Sequence, residues 1–203
     1  MSQPVLRRRD PTPGIGLQAV MAAHTHAEAQ PISSPPDTVD QILKTCNSLV
    51  LSRFTAADAW ELGHLLYARL LPMSHKKPTL ISITAANSDQ VLFQAAVGSG
   101  TLPDNELWVR RKRASVLRWG CSTWLLSCKY AQDEEAFRAK FGMSQDQASR
   151  YAIHGGGVPI RVEGVEGIVG VVVVSGLKQH EDHAVIWDVV REHWEEVAAK
   201  EHL

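Results

Sequence analysis

The stretch GIVGVVVV, from Gly167 to Val174, is apolar almost without interruption. A strand of this kind is covered on both faces. Just before it, Gly157 to Val162 (GVPIRV) reads as a second strand, joined to the first through Glu163-Gly164-Val165-Glu166. Further out, Thr79 to Ala86 and Gln90 to Val97 form another strand pair around the turn Asn87-Ser88-Asp89. Between the two pairs the pattern turns helical. One helix starts at Asp104 or Asn105 and runs through Trp119 to a stop at Gly120; a second stretch follows from Ser122, and a third from Glu135 to Phe141 ends at Gly142. Upstream, Asp37 or Thr38 caps a helix through Ile42, Leu43 and Cys46. Thr55, with Asp58 three residues on, caps another over Trp60 to Leu70, closed by Pro72. The last helix is expected from about Gln179 to Ala199. The order α-β-β-α-α-β-β-α has two hairpins, with helices that can lie on both sides. It predicts an α+β fold, an antiparallel sheet sandwiched between helices, and not a Rossmann arrangement with one strand per helix.

Composition narrows the function. The 203 residues suit one ordinary domain plus a tail, and 44% hydrophobic residues suffice for a core. A net charge of −1 argues against a dedicated nucleic-acid binder. No run approaches the roughly 20 apolar residues of a membrane helix, so no membrane partner is expected. Three cysteines, Cys46, Cys121 and Cys128, form no CxxC pair and point to a reducing compartment. Residues 1–36 hold six of the ten prolines and no sustained apolar period, which reads as a flexible Pro-rich tail before a single domain over 37–203. Arg7, Arg8 and Arg9 faintly resemble a mitochondrial presequence, but Pro4, Pro11 and Pro13 interrupt any amphipathic helix there. The cytoplasm is the expected compartment.

Several motifs fail on inspection. His154-Gly155-Gly156-Gly157 looks like an esterase oxyanion loop, yet no G-x-S-x-G elbow accompanies it. Gly164, Gly167 and Gly170 do not make G-x-G-x-x-G, and no phosphate loop occurs. In His180-Glu181-Asp182-His183, Ala184 stands where H-E-x-x-H needs its second histidine. A metal-dependent enzyme using His180, His183 and Asp182 is a remote third reading: the two histidines, three apart, can share a helix face, but no further ligand is evident, so no metal site is expected.

Three constellations remain. On the helix after Asn105, Trp108, Arg111, Lys112, Ser115 and Trp119 share one face, where cations beside indoles could grip a carboxylate or phosphate. A solvated or subunit-contacting helix face is the bland counterpart. Next, His154 leads Gly155, Gly156 and Gly157 into a strand. The glycines let backbone approach a ligand or another chain, and His154 could be a base or an iron ligand. A tight strand entry explains the same residues without function. Finally, Glu181, Asp182 and His183 open the last helix. His183, Trp187, Val190 and Trp194 follow helical spacing, so His183 leads an inward stripe, while capping alone accounts for the carboxylates.

At these residues the chain resembles a known family. HGGGVPI (154–160), Gly167-Ile168-Val169-Gly170, Ser175-Gly176 and Asp182 resemble the HbpS/GlcG-like family, labelled haem-degrading. WVRRK (108–112) and SGLKQHEDH (175–183) are similar to its small bacterial and fungal branch, which includes a yeast cytosolic protein. The resemblance covers about residues 50–195. It implies a profilin-like α/β/α sandwich around a five-stranded antiparallel sheet, with the fifth strand expected at Ser48 to Ser52. It also implies homo-oligomers, and relatives that bind haem or small anionic molecules.

The resulting expectation is a cytosolic homo-oligomeric domain with a pocket for a small anionic ligand, haem being the cofactor the family suggests. Trp108, Arg111 and Lys112 would hold the anionic group, Gly155, Gly156 and Gly157 would form a wall, and His154 or His183 would make the polar or iron contact. Asp182 would orient a histidine. The alternative is a non-catalytic oligomeric scaffold that binds other proteins, using the basic helix and glycine edge as subunit contacts.

Overall fold

The computed structural model describes residues 3–26 and 28–197. In chain order the elements are β1 (Leu6–Arg8), α1 (Ile15–His26), α2 (Val39–Thr45), β2 (Leu49–Leu51), α3 (Ala56–Leu70), β3 (Thr79–Ala85) and β4 (Val91–Val97). There follow α4 (Pro103–Trp119), α5 (Thr123–Lys129), α6 (Glu134–Lys140), α7 (Gln145–Ala148), β5 (Gly157–Val162), β6 (Gly170–Ser175), α8 (Gln179–His193) and β7 (Trp194–Glu196). The fold is α+β, as expected, around one sheet in the order β4-β3-β6-β5-β2-β1-β7.

Local chemistry places several of these elements. Thr55 Oγ1 accepts from the Asp58 N–H, and the Asp58 carboxylate accepts from the Thr55 N–H, so a reciprocal capping box starts α3. Gly120, at φ 69°, ends α4 in the left-handed conformation that glycine adopts without penalty. β6 occupies the middle of the antiparallel β3-β6-β5 block, and every residue in it is buried. Its side chains alternate between two apolar layers. Val172 and Val174 join Ile81, Ile83, Val158 and Ile160 beneath α3 and α8, whereas Val171 and Val173 meet Val109 and Val116 of α4 on the other face. That alternation explains why GIVGVVVV carries no polar face.

The sheet has seven strands instead of about five, and it is not wholly antiparallel. β2 lies at the expected fifth-strand position but pairs parallel with β5, and β1 pairs parallel with β2. β1, β2 and β7 are three residues each, too short to show a period-2 pattern. The last helix ends at His193, before the expected Ala199, which lies outside the described residues. Trp194 turns extended (φ −117°, ψ 156°) and is buried in the core as the chain begins β7.

Residues 1–36, expected as a flexible tail, include β1 and α1. Arg8 sits 4.0 Å from Asp58 and 3.9 Å from Glu61, all three largely buried. Glu61 also accepts from the N–H groups of Gly14 and Gly16 at the start of α1. Arg69 of α3 donates to the carbonyls of Gln30 and Pro31, Ser33 N–H donates to Asp188 of α8 at 3.0 Å, and the Trp124 indole donates to Pro36 O at 2.7 Å. The partners of this segment therefore lie tens of residues away, where no local pattern reveals them. Replacing Glu61 with Ala should destabilise the protein by about 1–3 kcal/mol. Hydrogen exchange should rise in residues 15–26 well before it rises in β6.

Candidate functional site

α4 crosses the sheet so that Lys112 reaches the C-terminal end of β6 and the first turn of α8. Lys112 and Asp182 are each 2% exposed. Lys112 Nζ donates to Asp182 Oδ2 at 2.8 Å and to Val174 O at 3.1 Å. The second oxygen of Asp182 accepts from the Leu177 N–H at 2.9 Å. Burial pushes the Asp182 carboxyl up to about 6, against the pull of Lys112 and of the backbone N–H donors of Leu177 and Gly176. Removing one member of such a pair strands the other charge in low dielectric.

The glycine bend exists to admit this pair. A Cβ on Gly156 would stand 2.4 Å from Val174 O, 2.8 Å from Lys112 Nζ and 2.8 Å from Asp182 Cβ, at a φ of +116°. On Gly155 it would meet Gln179 O at 2.4 Å, and on Gly157 it would press Thr123 and Val116 at 3.1 Å. All three glycines thus pack against protein. The bend is braced by Gln179, whose Oε1 accepts from Ser127 Oγ and from the Gly155 N–H, and by Thr123 Oγ1, which accepts from the Gly157 N–H.

Above the pair opens a cavity of ≈ 260 Å³. Trp108, His154, Asn105 and Gly176 line it, with Lys112 and Asp182 at its base. The Trp108 and His154 rings meet edge-on, centroids 4.8 Å apart. Arg111 lies 4.6 Å over the Trp108 ring, with Nε donating to Tyr151 O at 2.9 Å and Nη2 3.5 Å from Glu134. His154 is half-exposed, and its Nδ1 stands 3.5 Å from Glu134 without a hydrogen bond. Burial is the main cause that lowers the His154 pKa. Lys112 and Arg111 lower it further and Glu134 opposes them, so the imidazole is held neutral.

Trp108, Lys112, His154 and Asp182 thus meet at one cavity, though not all in the expected roles. Lys112 is spent on Asp182, and Arg111 is engaged by Tyr151 and Glu134, so neither stands as a free cation over the cavity. Asp182 holds a lysine and not a histidine. His183 points into the core: it is fully buried, stacks on Trp124 at 6.1 Å, and does not line the cavity. Sequence reasoning also passed over Asn105 and Gln179. Their only signals were positions in the first turns of α4 and α8, which look like ordinary helix starts.

A half-open cavity over a buried ion pair thus sits on an α+β sheet with helices on both faces, the architecture of an α/β sandwich domain. The family model described as "Haem degrading protein HbpS-like" matches residues 54–191, and the chain belongs to that family. It is 36% identical over 160 residues to a UPF0303 protein of Streptomyces avermitilis, covering 79% of this chain and 93% of that protein. With a UPF0303 protein of Psychromonas ingrahamii it shares 34% over 153 residues, 75% and 91% of the two chains. Among solved structures, the Ybr137w protein superposes with a TM-score of 0.63 at 31% identity, over 70% of this chain and 80% of that one. A PduOC–heme complex superposes at 0.52 and 16% identity, over 68% and 93%, a likeness of fold. Among the described residues no helix is long and apolar enough to cross a membrane.

Two outcomes follow. Gly156→Ala should cost about 2–4 kcal/mol, through a strained φ and the displaced lysine, visible as a lower denaturation midpoint. Burial holds the His183 pKa down to about 3, so its neutral form favours the folded state fully above the unfolded value near 6.5. That contribution is lost as pH falls. Asp182, with its raised pKa, works in the opposite direction between about pH 4 and pH 6. His183→Phe should therefore lose less stability than the unmodified chain between about pH 7 and pH 4 in denaturant titrations.

Proposed function

We propose that the cavity bounded by Trp108, His154 and Asn105 binds a small planar ligand bearing an acidic group, haem included, and that the chain works as a homo-oligomer in the cytoplasm. The observation that carries this reading is the neutral, half-exposed His154. Its Nδ1 is buried toward Glu134 without a hydrogen-bond partner, which leaves Nε2 as the nitrogen open to a ligand, and its ring sits edge-on to Trp108 at the cavity wall. A neutral imidazole nitrogen is what iron ligation requires, and an adjacent indole offers a stacking surface. Membership of a haem-degrading family supports the choice of haem.

The residues fit such a group in part. His154 would ligate, Trp108 would stack, and the Asn105 amide nitrogen would face an acidic substituent, since its side-chain oxygen already accepts from the Leu102 N–H. Haem would supply a redox-active iron, with ligation and surroundings left to the protein. Lys112 and Asp182 hold the base of the cavity rigid and nearly charge-neutral. A cavity of ≈ 260 Å³ encloses only part of a porphyrin, so a second copy of the chain would cover the remainder. The oligomer reading draws further support from β4, a sheet-edge strand with Val91 exposed, and from the exposed Leu102 and Leu107 that follow it in sequence.

Haemin titration followed at the Soret band tests the reading. His154→Ala should weaken binding about tenfold or more and move the band. His183→Ala should leave the band position alone. An unchanged spectrum and affinity in His154→Ala removes this histidine as the contact, and with it the haem assignment.

A further inference from the structure

A second cavity, of ≈ 400 Å³, lies at the opposite end of α8, between that helix, α2 and the N-terminal strand. Its apolar wall is built from Leu6, Trp187, Val190 and Trp194. Both indoles are 5% exposed. The indole N–H of Trp187 is buried and has no acceptor in the fold. An unpaired buried donor costs about 1–3 kcal/mol unless something accepts from it. Most of the wall falls outside residues 54–191, the part of the chain that the family model matches.

The rim carries a surplus of positive charge. Lys44, Arg9 and Arg191 line it, against Glu195 and Glu196. Glu195 is taken by Arg7, 2.9 Å away. Arg9 uses Nε on Trp194 O at 3.0 Å, and Arg191 stands 3.9 Å from Asp188. The volume falls in the lower part of the range for small-molecule sites, roughly 300–1,000 Å³. Indole side chains in the wall suit an aromatic ring, a cationic rim suits an anion, and guanidinium groups suit the two oxygens of a carboxylate.

We infer that the cavity between β1, α2 and the end of α8 binds a planar aromatic carboxylate. Its ring lies against Trp187 and Trp194, and its acid group is met by the rim cations. The site needs the N-terminal segment, because Leu6 and Arg9 supply part of its wall. It shares no lining residue with the His154 cavity, so the two sites stand or fall separately.

Calorimetric titration of the full chain with 2-naphthoate tests the inference, with 2-naphthamide as the uncharged counterpart. The expected result is saturable binding of one naphthoate per chain and at least about tenfold weaker binding of the amide. The Lys44→Gln/Arg191→Gln variant, changed only at exposed positions, should lose about tenfold or more, and Trp187→Phe should bind more weakly than the unmodified chain. His154→Ala should bind naphthoate normally. The inference is overturned if no saturable binding occurs, if the amide binds equally, if the double variant is unaffected, or if His154→Ala abolishes binding.

Discussion

The contact between Lys112 and Asp182 ties together parts of the chain that have no other reason to meet. One partner comes from the middle of α4, which covers one face of the sheet, and the other from the first turn of α8, which covers the opposite face. They can reach each other only past the end of β6, where Val174 O shares the ammonium and the Leu177 N–H shares the carboxylate. Two ionised groups withdrawn from water are tolerable when every donor and acceptor is satisfied, and this network comes close to that state. The triple glycine is its steric counterpart, because the ammonium and a strand carbonyl occupy the space where Cβ atoms would be. The cavity beneath Trp108 and His154 is the residual space above this junction.

α8 connects two chemically distinct regions. Its first turn faces a neutral imidazole, an amide and a compensated ion pair. Its last turns carry Trp187, with Trp194 just beyond, under a cationic rim. The stripe between them, Val185, Ile186 and Val189, is sealed in the core.

Much of the architecture was readable wherever the information was local. The Thr55–Asp58 box, Gly120 at the end of α4, the two hairpins and the two-sided burial of β6 all follow from neighbours in sequence. β1, β7 and α1 did not follow, because three-residue strands carry no period and because Arg8 finds Asp58 and Glu61 about fifty residues downstream. A run of arginines with few acids around it looks like a solvated arm until the fold supplies the buried carboxylates of Asp58 and Glu61. At the candidate site, helical spacing correctly put Trp108, Arg111 and Lys112 on one face, and the resemblance singled out the glycine bend and Asp182. Spacing could not tell whether Lys112 would face a ligand or a buried acid. His183 was drawn into the site by its neighbour Asp182, yet adjacent residues on a helix project about 100° apart, and here that separates a cavity floor from the core.

β1 lies between β2 and β7, and the Val197 N–H donates to Val5 O at 2.7 Å. The first and last described stretches are therefore sheet neighbours. During ribosomal synthesis the N-terminal stretch emerges early but has to wait for almost the whole chain before its C-terminal strand partner exists, a pairing of very high contact order. The same adjacency would let a short linker run directly from Val197 to Val5. With a new opening at the Asn87–Asp89 turn, such a linker would keep every strand neighbour while turning the β1–β7 pairing into a local hairpin.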